Sequence, residues 1–167
     1  MATVYQPLWP GFVSFPTTNP AAPVETQGTN FPVPGLAFDA TTQETCYLFF
    51  QAINYGSGNL TATVRWYADS ATTGGVVWGG SLAAITPDTD TQDIETKAFA
   101  TESTAADTHL GTTGQRLHSI DITLSNLDSI ASGDWVCLRL RRAPADASDT
   151  MTGDAIVVGL TLSYSDT

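Results

Sequence analysis

In four stretches of this chain, apolar side chains fall on every second position, a pattern that only a strand with one buried face turns to use. Leu60, Ala62, Val64 and Trp66 alternate with Thr61, Thr63, Arg65 and Tyr67. Ile120, Ile122 and Leu124 alternate with Asp121 and Thr123, and Val136, Leu138 and Leu140 with Cys137, Arg139 and Arg141. Near the end, Ile156, Val158, Leu160, Leu162 and Tyr164 alternate with Val157, Gly159, Thr161 and Ser163. Weaker strand candidates are Leu36 to Phe38, Cys46 to Ala52, Val76 to Ile85 and Lys97 to Thr101. Turn residues cluster between them, at Tyr55-Gly56-Ser57-Gly58, Thr73-Gly74-Gly75, Pro87-Asp88-Thr89-Asp90, Ser132-Gly133-Asp134 and Thr152-Gly153-Asp154. No segment carries a helical stripe. The expectation is an all-β chain folded as an antiparallel β-sandwich, jelly-roll-like, with an immunoglobulin-like sandwich as the alternative topology.

The start of the chain reads differently. Pro7, Pro10, Pro16, Pro20, Pro23, Pro32 and Pro34 all lie in the first 34 residues. Proline has no amide proton to give a ladder and holds its predecessor extended, which excludes a helix or a central strand. Residues 1–34 are therefore expected to form an extended Pro-rich N-terminal arm, and 35–167 the sandwich domain. The arm is unlike a solvated tail, since Tyr5, Trp9, Phe12, Val13, Phe15 and Phe31 are spread along it with Glu25 as its one charge. Those side chains need cover, either from the arm's own domain or from a neighbouring subunit. Deleting residues 1–31 is expected to leave a folded sandwich. The stretch Thr86 to Gln115 is mostly polar and is expected to be a long loop or insertion.

Charge narrows the partners. Seventeen acidic residues stand against 6 basic ones, for a formal net charge of -11. Such a surface repels nucleic acid and anionic lipid, so neither is expected as a partner. The first eleven residues carry no signal-like pattern, and no stretch has the length of a membrane span. Cys46 and Cys137 sit in apolar runs and read as buried thiols rather than a disulfide framework.

Reactive groups are sparse. His109 and His118 have no second His or Cys at metal-ligand spacing, and His118 is expected on the outward face of a strand edge. There is no nucleophile elbow and no phosphate loop. Asp88, Asp90 and Asp93, and again Asp146, Asp149 and Asp154, form acidic clusters, but turns recruit aspartate for their own reasons. No catalytic residue, metal or cofactor is expected. Trp66 shares a face with Leu60 and Val64 and reads as core. Trp135 is opposite in phase to Val136 and Leu138 and reads as exposed or interfacial. Arg139 and Arg141 point the same way, giving a positive stripe that either pairs with acids of this chain or meets another subunit. The candidate interface residues are thus Trp9, Phe12, Phe15, Phe31, Trp135, Arg139 and Arg141.

Three stretches carry a resemblance: Leu36-Ala37-Phe38-Asp39-Ala40-Thr41 and on to Thr45, Trp66-Tyr67-Ala68-Asp69-Ser70 and on to Trp78, and Ala145 to Ala155 with Asp149-Thr150-Met151-Thr152-Gly153-Asp154 at its centre. They resemble small β-rich structural proteins of tailed bacteriophages, over roughly Gly35 to Tyr164. The resemblance implies a virion protein assembled in the host cytoplasm, and no catalytic residue carries over. The leading expectation is a capsid decoration, or cement, protein, a homotrimer bound to the major capsid protein or other virion subunits. The alternative is a tail-fibre or receptor-binding protein touching a host glycan through the loops Thr86 to Gln115 and Ala143 to Asp154. A cell-wall hydrolase is a third and weaker reading.

Overall fold

The computed structural model describes residues 2–8 and 13–167. Its elements are β1 (Thr3–Pro7), β2 (Val13–Ser14), β3 (Ala22–Gln27), β4 (Pro32–Phe38), β5 (Thr45–Gln51), β6 (Tyr55–Ala68), β7 (Gly75–Ile85), β8 (Ser103–Thr108), β9 (His118–Leu124), β10 (Trp135–Arg142) and β11 (Ala155–Asp166). The described residues contain no helix. One sheet runs β3-β4-β11-β6-β9 with β1 also on β11, and the other runs β2-β5-β10-β7-β8. Every strand pairing is antiparallel. The result is the expected all-β, jelly-roll-like sandwich.

The alternation rows supply the interior. Leu60, Ala62, Val64 and Trp66 of β6, Ile122 and Leu124 of β9, and Leu160, Leu162 and Tyr164 of β11 line one side. Facing them are Cys46, Leu48 and Phe50 of β5, Val136, Leu138 and Leu140 of β10, and Val76, Trp78, Leu82 and Ala84 of β7. Each large aliphatic side chain so buried contributes about 1.5–3 kcal/mol. Phe38 meets Trp78 edge-on, with centroids 5.2 Å apart and planes at 88°, the favoured offset for the ring quadrupoles.

The β11 row departs from strict alternation. A register shift between Val157 and Gly159 inserts a residue opposite β6, and such a bulge exchanges the two faces. Val157 therefore points into the core while Ile156 packs on the outside with Ala37, Tyr67, Val24, Val33 and Val158.

The expected N-terminal arm is instead laid into both sheets. β1 lies along Thr161 to Ser165 of β11, β2 along β5, and β3 along β4. Leu8 and Ala21 are buried in the common core, and β4 runs through the boundary placed at residue 34. Pro23, Pro32 and Pro34 fit because they sit where a ladder needs no donor: β3 is an edge strand, and Pro32 and Pro34 face only β3, since β11 joins β4 at Leu36. Removing residues 1–31 would therefore strip three strands and uncover core, contrary to the expectation above.

Thr86 to Gln115 also departs from a plain loop. It contains β8, whose inward positions Ser103, Ala105 and Asp107 carry almost no apolar signal, while Lys97 to Thr101 is not a strand. The residues before β8 lie across the outer face of the β5-β10-β7 sheet, where the Ala100 amide donates to Leu82 O at 2.8 Å. With a core on one side and this cover on the other, β7 is buried along almost its whole length.

Candidate functional site

The outer face of the β2-β5-β10-β7-β8 sheet carries the most concentrated side-chain chemistry. Alternation turns Tyr47, Phe49 and Gln51 of β5 outward, opposite Arg139, Cys137 and Trp135 of β10, which in turn stand opposite Ser81, Ala83 and Ile85 of β7. Trp135 stacks on Phe49 with centroids 5.3 Å apart and planes at 26°. Tyr47 stacks at 5.8 Å on Phe99 of the covering segment. Between the two stacks the small side chains of Ala83 and Cys137 lie side by side and leave a cleft of about 270 Å³, walled by Ile94, Glu95 and Lys97. Beyond Trp135 and Phe49, Phe50 and Gln51 border a further hollow of about 470 Å³.

Two ion pairs fasten the covering segment. Lys97 Nζ is 3.0 Å from Asp128, whose carboxylate also accepts from the Ala84 amide. Glu102 pairs with Arg141, which is also bonded to Gln43. Gly79 makes room for that pair, since a Cβ there would lie 2.4 Å from a Glu102 carboxylate oxygen. Arg139 is treated differently: its guanidinium lies under the Phe99 ring, 4.8 Å from the centroid, and among the described residues it has no carboxylate partner. Its Nε and the Ser81 Oγ across the strand are both buried without a hydrogen-bond partner.

The predicted interface residues scatter. Trp9 and Phe12 lie outside the described residues. Phe15 follows β2 at a sheet edge and is 37% exposed. Phe31, 68% exposed, lies on the opposite outer face, where it borders a 390 Å³ apolar hollow with Val33, Tyr67, Leu117 and Val158. Trp135, Arg139 and Arg141 do lie on one face, although Arg141 is spent on Glu102. Sequence reasoning missed Tyr47, Phe49 and Phe99; the two β5 rings were hidden in the continuous run Cys46 to Phe50, where inward and outward positions are both apolar.

The remaining reactive groups are structural. His118 is not on an outward face but buried, stacked on Trp66 at 4.3 Å. It shares the inward parity of Ile122 and Leu124, a signal the sequence offered. Burial holds its pKa below the ordinary 6.5, opposed by Asp107 and reinforced by His109 and Arg116. His109 uses both ring nitrogens on the 111–114 turn, and neither ring bonds a hydroxyl or thiol. Within the acidic clusters Asp90 and Asp93 cap turns, accepting from the Thr86 and Glu95 amides, as Asp146 does from Ser148, while Asp149 is paired with Arg142. Among the described residues no group of three His, Cys, Asp or Glu side chains is placed to hold a metal ion. Cys46 and Cys137 are free and face opposite sides of the sheet, and burial pushes both thiols to about 12.

No family model and no curated protein matches the chain. Solved structures do. A carbohydrate-binding module described as specific for non-crystalline cellulose, CBM28, superposes with a TM-score of 0.52 at 8% identity, covering 89% of this chain and 85% of its own. The family 11 carbohydrate-binding module of Clostridium thermocellum, solved with a β-1,3-1,4-mixed-linked tetrasaccharide, gives 0.51 at 9% identity, over 96% and 94% of the two chains. At such identities the likeness is one of fold: this chain shares the two-sheet β-sandwich architecture of these modules.

Proposed function

We propose that this protein is a non-catalytic glycan-binding β-sandwich that binds a saccharide in the cleft beside Trp135 and Phe49. The observation that carries the reading is the pairing of partly exposed, flat rings with a small-floored cleft whose walls hold polar groups. Sugar rings offer apolar C–H faces to an aromatic plane and hydroxyls to their rim, and Trp135 with Glu95, Lys97 and Gln51 supplies both kinds of partner. The carbohydrate-binding modules of similar fold support it as analogues. Together with the resemblance to tailed-phage structural proteins, this favours a receptor-contacting part of a virion.

A second reading rests on a separate observation. Phe31 and Leu117, 68% and 61% exposed, flank the apolar hollow on the opposite outer face. Its lining is poorer in polar groups than the cleft, as suits a protein contact, and the cement reading with self-association or capsid binding would use it.

The test is an oligosaccharide array followed by titration calorimetry. Trp135→Ala is expected to weaken the best ligand at least about tenfold with the fold intact. Absence of any binding on the array would refute the proposal, and a particle-binding defect from Phe31→Ser with unchanged glycan binding would move the weight to the second reading.

A further inference from the structure

Phe99 sits where a ligand ring would sit. It lies flat on Tyr47 and over the Arg139 guanidinium, two side chains that are neighbours across β5 and β10. Beneath it the protein leaves two polar atoms unanswered, Arg139 Nε and Ser81 Oγ, although buried polar groups are nearly always paired. Among the described cations of this face, Lys97 and Arg141 have carboxylate partners while Arg139 has none, on a protein whose formal net charge of -11 leaves no shortage of carboxylates. The cover carrying Phe99 is tied down through its two ion pairs and the Ala100 amide. Phe99 also forms one wall of the 270 Å³ cleft, so moving its ring would extend that cleft over Tyr47 and Arg139.

Resting on the glycan-binding reading, we infer that Tyr47, Arg139 and Ser81 form a second sugar subsite that Phe99 covers, and that this subsite takes a ring bearing a carboxylate, a uronate or other acidic sugar. The sugar ring replaces Phe99 on Tyr47, the carboxylate meets the Arg139 fork as a charge-assisted pair, and a hydroxyl reaches Ser81. Glu95 across the cleft, which has no ion-pair partner among the described residues, and the overall negative charge set a limit. They disfavour a polyanion, so the ligand is a largely neutral oligosaccharide with an isolated acid group.

The experiment uses matched oligosaccharides, each with a single uronate, against their carboxyl-reduced twins, titrated in 0.15 M salt. The acidic member is expected to bind about 10- to 100-fold more tightly than its twin. Arg139→Gln should abolish that preference, bringing the two twins to equal affinity, and Arg139→Lys should retain part of it. Phe99→Ala should strengthen acidic binding several-fold and neutral binding less, because the cover is gone. In the unaltered protein, raising salt should erode the acidic preference and leave the neutral twin unchanged, a readout that needs no variant. Equal affinity for the twins, or an acid preference that survives Arg139→Gln, overturns the subsite while leaving the glycan reading intact. Binding of neither twin in any pair, with no ligand on the wider array, refutes the glycan reading itself.

Discussion

Arg142 is fully buried, and replacing its partner Asp149 by alanine should be the most damaging single change outside the apolar core. The guanidinium grips Asp149 through two bonds of 3.0 and 2.7 Å, and the Asp149 side chain is 1% exposed. Three further bonds run from Arg142 to the carbonyls of Phe38, Gly153 and Met151, at 3.3, 2.9 and 2.7 Å. Asp149 also accepts the Val77 amide at 3.0 Å. Asp149→Ala leaves a buried cation without its counter-charge, a loss of about 3–5 kcal/mol. For a domain of this size, with roughly 2–4 °C per kcal/mol, the midpoint falls by about 6–20 °C. Urea denaturation followed by circular dichroism and tryptophan fluorescence measures it, with an unchanged slope showing that stability alone has moved. The double variant Arg142→Met with Asp149→Leu separates the causes. Where an ion pair only pairs, such a swap is close to neutral. Here three carbonyls lose their donor, and at about 1–3 kcal/mol for each buried orphan the double variant should stay well below the native protein. A single variant within about 1 kcal/mol of native would refute the reasoning, since that is what a solvated pair is worth.

Three other outcomes are expected. Because burial holds His118 below its unfolded value near 6.5, the unfolded chain takes the proton first; the stability this confers is complete above that pH and is lost as pH falls through it, so urea midpoints should decline from pH 7.5 to 5 and His118→Phe should flatten the slope. Gly79→Ala would drive a Cβ to 2.4 Å from the Glu102 carboxylate; that flexible end swings away from Arg141, and because the pair is largely buried the cost exceeds the roughly 1 kcal/mol of a solvated pair, and hydrogen exchange at the Ala100 amide quickens. Deleting residues 1–31 removes β1, β2 and β3 with the buried Leu8 and Ala21, and circular dichroism should show no cooperative melting; a sharp transition near the native one would contradict the assignment of those strands.

Where one face meets the core and the other meets water, the strands were legible. β6 and β9 show it, with Leu60, Ala62, Val64 and Trp66 or Ile122 and Leu124 on strict parity. Legibility failed for three physical reasons. Prolines made β1 to β3 read as an arm, although edge positions tolerate them. β8 turns Ser103, Ala105 and Asp107 inward, and Asp107 is used there by the Trp66 indole, which donates to it at 3.0 Å; an acid serving a buried donor has no apolar signature. The bulge in β11 reversed the faces of Ile156 and Val157, which no pattern of period two anticipates. At the site, parity alone exposed Trp135, whereas Tyr47 and Phe49 were masked by the cover that makes both faces of β5 apolar. Phe99 was one apolar residue in a polar stretch, and only its place on Tyr47 gives it meaning.

The first strand of the chain lies against the last, with Thr3 opposite Ser165 and Pro7 opposite Thr161. During synthesis β1 leaves the ribosome well before β11 exists. Until then Thr3 to Pro7 has no partner, β4 and β6 lack the strand that joins them, and the interior is open along that seam. Closure of this sheet therefore waits until β11 has been made, and β1, β4 and β6 carry bare edges until then. A translation stall inside β11 would leave ten strands made and the sandwich unable to close, and such stalled chains are where aggregation of this protein should begin.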